Sequence, residues 1–166
     1  FLLLLAVPQA RAQLAPYAEG GARLLALGGA GTALSGDAWG HANAASWATL
    51  AERSVGFFGS QGFGLSELRL GALHLAWPFS FATLSASARS VGFADFRESR
   101  FRLGGGRSFG LGTTRQFHAG LALSYHHVAL ADPYGSAGAL ALDAGWMVNV
   151  LPALDLGFQA TNLNGA

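Results

Sequence analysis

The chain has 166 residues, enough for one domain, of which 51% are hydrophobic and only 11% charged. Its ten basic residues are all arginine and face nine acidic ones, a net charge of +1 with no basic patch, which excludes a nucleic-acid-binding surface. The absence of cysteine excludes a disulfide scaffold and thiol chemistry.

The first residues, Phe1 to Val7, are apolar, and Ala10-Arg11-Ala12 follows before Gln13. This reads as the end of a signal-peptide core and its cleavage site, so residues 1–12 are assigned to a leader remnant on an exported chain. Nothing later supplies the ~20 continuous apolar residues of a spanning helix. Residues 13–50 have a texture of their own. Gly20 to Leu34 is small and apolar without alternation, Ser35-Gly36-Asp37 breaks it, and an Ala-rich stretch with Trp39 and Trp47 follows. Short helical pieces separated by glycine turns are expected. That much Gly and Ala permits close backbone packing in a confined space, such as a barrel lumen.

From Arg53 onward, alternation takes over. Strands are predicted at Ser54–Ser60, Glu67–Ala76, Phe79–Phe93, Ser99–Gly110, Gln116–Leu130, Ala137–Asn149 and Asp155–Leu163. Turn signals separate them: Gln61 to Gly64, Trp77-Pro78, Gly110 to Thr114, Asp132 to Ser136, and Leu151-Pro152. The pattern is clearest from Phe117 on. There Phe117, Ala119, Leu121, Leu123 and Tyr125 oppose His118, Gly120, Ala122, Ser124 and His126. Likewise Leu140, Leu142, Ala144, Trp146 and Val148 oppose Ala139, Ala141, Asp143, Gly145 and Asn149, and Leu156, Phe158 and Ala160 oppose Asp155, Gly157, Gln159 and Thr161. A soluble sandwich shows the same period. The length of the runs and their small, polar second face point instead to an all-β transmembrane antiparallel β-barrel, with lipid outside and a wet lumen. Seven strands are an odd count for a closed bacterial barrel, so residues 51–166 are expected to be the first half of a larger one.

Three stretches resemble the PorV/PorQ-type outer-membrane proteins, relatives of the FadL long-chain fatty-acid transporters. Gly21 to Ala38 resembles the family's N-terminal signature, which ends in Asn-Pro-Ala-Gly-Leu; here Asn43-Ala44-Ala45 stands in that place and the proline is missing. Tyr134 to Gly145 is similar to the stretch after the family's mid-barrel loop. Leu156 to Gly165 is similar to a strand ending in Asn-Leu-Gly. The resemblance implies a fourteen-stranded barrel with an N-terminal hatch, here residues 13–50 with Gly28, Gly29, Gly31, Asp37 and Asn43 as its candidate residues. It implies an outer-membrane location. It also implies partners: lipid, with secreted cargo and secretion-system subunits if the protein serves type IX-like secretion or surface attachment. The alternative it implies is a FadL-like channel for hydrophobic small molecules. A soluble exported β-protein or a barrel enzyme is the third reading, and no enzymatic role or cofactor is expected.

By strand phase His118, His126, Asp143, Asp155 and Gln159 face the lumen. A His/Asp pairing there is a conceivable proton or metal site, or a hydrolytic cluster with Ser124, yet no spacing is motif-grade. The favoured reading is polar lumen residues bonded to one another. Arg100 and Arg102 share a face with Gly104 and Gly106, also placed inward. The glycine runs at 28–31 and 104–106 are not phosphate loops, because no lysine follows them.

Overall fold

A computed structural model of the protein describes residues 21–112, 115–151 and 153–165. The proposed leader remnant, residues 1–12, lies outside them. The chain is all-β from Ser54 onward. Seven strands follow one another as an antiparallel meander in the order β1 to β7: β1 Ser54–Gln61, β2 Arg69–Pro78, β3 Thr83–Gly92, β4 Phe96–Leu111, β5 Arg115–Leu130, β6 Ser136–Leu151 and β7 Leu154–Ala160. The sheet is open, with β1 and β7 as its edges. No helix among the described residues is long and apolar enough to cross a membrane.

The strand boundaries depart from the expected ones for local reasons. The strand expected at Phe79–Phe93 begins only at Thr83. Pro78 has no N–H to continue the ladder, and the Phe79 N–H donates to the Ala82 carbonyl at 2.9 Å, closing a turn over residues 79–82. The strand expected from Glu67 begins at Arg69, since Ser66–Leu68 form a turn of 3-10 helix. Within it Leu70 points to the covered face, and Leu73 and Leu75 to the exposed one. β4 runs from Phe96 to Leu111, longer than the expected Ser99–Gly110. The last strand stops at Ala160, and the chain folds back so that the Leu163 N–H donates to the Leu142 carbonyl at 2.8 Å.

Cross-strand register carries one face through the whole sheet. His74, Ser87, Arg102, Ser124 and Ala141 are paired in turn across β2 to β6, all on one side. That side is buried and small or polar: Ser85, Arg89, Arg102, Ala122, Ser124 and Asp143 are on it. The other side is apolar and exposed. Phe57 is 80% exposed and Leu103 63%, and Leu73, Leu75, Phe101, Leu121, Leu123, Leu140 and Phe158 accompany them. A sheet in water buries its apolar face and wets its polar one. Here the distribution is inverted.

The buried face is covered by the N-terminal segment. It contains a helix α1, Gly21–Ala26, and a short 3-10 helix, Ala44–Thr49, which packs against β3 to β6. The expected short helical pieces are therefore present. Two small apolar clusters form at the contact. One joins Ala44 and Trp47 to Ala122. The other joins Trp39 to Leu70, Ala72, Val91 and Phe58.

Candidate functional site

Residues 31–50 meet the sheet along a line of glycines. A Cβ at Gly104 would lie 2.5 Å from the Trp47 ring, and one at Gly106 would lie 2.7 Å from the Ala48 nitrogen. At Gly120 it would meet the Ala44 carbonyl group at 2.3 Å, and at Gly157 the Thr32 oxygen at 2.2 Å. These glycines all point inward. Alternation puts a second-face residue every two positions, and at the contact that residue has no side chain, so backbone approaches backbone.

Asn43 is the central node. It is fully buried, and its side-chain oxygen accepts from the Ala45 N–H at 2.9 Å, capping the 3-10 helix. Its Nδ2 donates toward three carbonyls: Thr32 at 2.7 Å, Trp146 at 3.0 Å and Phe158 at 3.2 Å. Trp146 and Phe158 are paired across β6 and β7, so one amide ties the segment to two strands. Gly145 leaves the room, since a Cβ there would sit 2.1 Å from the Asn43 Oδ1. Gln159 completes the clamp, its Oε1 accepting from the Ala44 N–H at 3.1 Å.

The second node is ionic. The Arg102 Nη1 donates to the Gly40 carbonyl at 2.7 Å, and its Nη2 lies 3.2 Å from the Asp143 Oδ2. Its guanidinium also stands 5.1 Å from the Trp47 ring centroid. Asp143 is shared. Arg100 Nη2 is 4.0 Å from the same oxygen, and Asp143 Oδ1 accepts from the Asn162 N–H at 3.0 Å. Arg89 pairs with Glu98 on the same face. Like charges on β3 and β4, Arg89 and Arg100, stand directly opposite each other, and the two acids beside them offset a repulsion that would otherwise destabilise the sheet.

A third contact lies toward the end where β4 meets β5. The Ser108 hydroxyl donates to the Ala48 carbonyl at 2.9 Å, and His118 Nδ1 is 2.8 Å from the same hydroxyl. With its proton committed to Ala48, Ser108 accepts from the His118 N–H. This arrangement ties the segment down and does not activate a nucleophile. Beside it lies a cavity of about 710 Å³ lined by Thr49, Arg115, Gln116, His118, Asn149 and Asp155 among others. Asp155 Oδ1 accepts from Asn149 Nδ2 at 2.9 Å.

Within the segment, burial raises the pKa of Asp37 against the pull of its backbone hydrogen bonds from Trp39 and Gly40. His41 stacks on Trp39, ring centroids 6.1 Å apart. Burial holds its pKa well below the ordinary histidine value, and Arg102, Arg100 and Arg89 push it further down.

The residues singled out from sequence thus fall into separate places. Asn43 and Gln159 meet, and His118 and Asp155 line one cavity. Asp143 is engaged by arginines, and His126 lies opposite Arg100 in register. Gly31 is buried under Leu24 and Ala42, and Asp37 is buried beside Trp39. Gly28 and Gly29 are exposed; both take positive φ and end helix α1, so they are cap residues with open space around their Cβ positions. Arg102 was placed inward by phase and Gly120, Gly145 and Gly157 on the polar face; their contacts with the N-terminal segment were not foreseen. Their signal was the recurrence of glycine on the polar phase of consecutive strands. No three or more His, Asp or Glu side chains among the described residues are grouped to hold a metal ion. Compared with protein-family models, with curated proteins and with solved structures, the chain matches none.

Proposed function

We propose that the seven strands are wall strands of an outer-membrane β-barrel, with residues 13–50 as the hatch inside it, and that the protein serves secretion or surface attachment of other proteins, as PorV/PorQ-type proteins do. The observation that carries this reading is the inverted sheet. From Arg97 to Arg107 the outward residues of β4 are Ser99, Phe101, Leu103 and Gly105. Those ten positions advance about 33 Å at roughly 3.3 Å per residue. Tilted by about 40°, they rise about 25 Å, the height of the apolar band of an outer-membrane barrel. In lipid the edges β1 and β7 require partners, so further strands close the wall.

Two features favour a protein partner over a hydrophobic small molecule. The inner face is charged, with Arg89, Glu98, Arg100, Arg102 and Asp143 at its centre, and so makes a poor conduit for an apolar solute. The loops β1–β2, β3–β4 and β5–β6 share one rim, and each carries an exposed aromatic: Phe63, Phe93 and Tyr134. Exposed aromatics at loop tips suit a protein contact.

The test is to isolate the full-length protein from outer membranes, with and without crosslinking. Co-purified secreted proteins or secretion subunits support the proposal. A tightly bound lipid or fatty acid without protein partners moves the reading to a FadL-like channel. Recovery in the soluble periplasmic fraction removes both.

A further inference from the structure

The turns β2–β3, β4–β5 and β6–β7 lie at the opposite rim, where the outward aromatics form a ladder. Phe109 and Phe117 have ring centroids 6.3 Å apart, Phe117 and Trp146 6.3 Å, and Trp146 and Phe158 6.0 Å. Trp77, Phe79 and Phe81 extend it at the β2–β3 turn, with spacings of 6.4 and 5.7 Å. Two exposed arginines are set into this ladder. The Arg53 guanidinium lies 4.0 Å from the Trp77 ring centroid, and that of Arg107 lies 5.4 Å from Phe109. Arg107 is in the same register row as Trp146 and Phe158. No acidic side chain among the described residues pairs with either arginine.

We propose that Arg53 and Arg107 bind the phosphate groups of anionic phospholipids at this rim. Three properties converge on that occupant. The arginines stand among the rim aromatics, Arg107 in the row of Trp146 and Phe158 and Arg53 beside Trp77, and aromatic belts mark the headgroup depth of a bilayer. A guanidinium held over an aromatic face keeps edge N–H groups for another partner, and such a fork takes two phosphate oxygens at once. The charge is positive and not neutralised locally, which complements an anionic lipid. A free phosphate in water would find one exposed cation and no enclosing pocket. A lipid phosphate is held at that depth by its own chains. The inference rests on the outer-membrane reading and adds to it a lipid class and two recognition residues.

The experiment uses the full-length protein reconstituted in bilayers of phosphatidylcholine with one fifth phosphatidylglycerol, then released into mild detergent for native mass spectrometry. The wild type is expected to retain phosphatidylglycerol over phosphatidylcholine. Arg53→Gln and Arg107→Gln are each expected to lower that preference about fivefold, with insertion unchanged. An equal lipid ratio in the wild type and the double variant would overturn the proposal. So would displacement of the bound lipid by millimolar inorganic phosphate, which would show a free-anion site. If the wild type does not insert at all, the outer-membrane reading falls and takes the proposal with it.

Discussion

Arg102 on β4 reaches across β5 to Asp143 on β6, with 3.2 Å between Nη2 and Oδ2, and each side chain is 2% exposed. The reach is open because the intervening inward residues are Ala122 and Ser124. Removing one charge strands the other where water cannot replace it. Asp143→Ala is therefore expected to cost about 3–5 kcal/mol. It also takes one acceptor from the Asn162 N–H and one carboxylate from Arg100. Replacing both members with Leu and Met is expected to recover most of that loss. Urea unfolding of the full-length protein in vesicles, followed by tryptophan fluorescence, measures both variants.

Gly120 lies directly beneath the 3-10 helix. An added Cβ meets the Ala44 carbonyl group at 2.3 Å, backbone against backbone. Gly120→Ala is expected to cost about 1–3 kcal/mol, as overpacking does, and to lift the 3-10 helix from β5. Gly71 is the control. It faces outward with nothing within 4 Å of its Cβ position, and Gly71→Ala is expected to stay within about 0.5 kcal/mol. Limited proteolysis around residues 40–50 reports the difference, with faster cleavage only in the Gly120 variant.

The strands, and the faces of the last three, were legible because period two needs only the chain itself. His118, His126, Asp143, Asp155 and Gln159 share one face of the sheet, as that period requires. The errors came where a local bond overrode the pattern. The apolar run from Phe79 continued through a turn that Pro78 and the Phe79–Ala82 hydrogen bond close. The contacts of the N-terminal segment were beyond the sequence. Asn43 lies 103 residues from Trp146 and 115 from Phe158, and no periodicity connects them. Asp143 reads equally well as a partner of His126 or of Arg102. Only the register, which sets Arg102 against Ser124 and Ala141, brings the arginine within reach.

Asn43 is expected to tolerate neither truncation nor a change of charge. Asn43→Ala takes the amide donor from three carbonyls and the acceptor from the buried Ala45 N–H, a loss of about 2–4 kcal/mol. Asn43→Asp keeps the shape and the acceptor for Ala45 but turns a carboxylate oxygen toward those carbonyls. It is expected to be the more damaging of the two at neutral pH, and to recover partly in acid as the carboxyl takes a proton and can donate. Hydrogen exchange of the Ala44 and Ala45 amides separates the two variants.

His41 gives the segment a pH dependence of fixed sign. In the folded chain its pKa lies well below the ordinary value, while the unfolded chain titrates near about 6.5. Below that pH the unfolded state binds the proton that the folded state refuses, so stability falls as the pH drops from about 6.5. Asp37 works the other way. Its raised pKa adds stability in acid, present in full below about 3.8 and lost as the pH rises through the folded value. Within this segment the upper part of the acid limb therefore comes from His41. His41→Gln is expected to flatten proteolytic release of residues 21–50 between pH 7 and 5. An unchanged slope would assign the acid sensitivity to the strands.

The outward face makes the sharpest demand on environment. Leu103 is 63% exposed at the middle of β4, on the outward face between Phe101 and Gly105. In water, Leu103→Arg would relieve an exposed apolar side chain and leave stability nearly unchanged. At the midplane of a bilayer the same arginine costs about 2–4 kcal/mol, because the charge must be solvated inside hydrocarbon. Arg97→Leu, at the edge of the band, serves as the comparison and is expected to change little in either setting. Folding of the full-length protein into phosphatidylcholine vesicles, titrated with urea, discriminates between the two environments. A cost of that size for Leu103→Arg, absent at position 97, places the band in lipid; equal and small effects at both positions would mean that this face meets water.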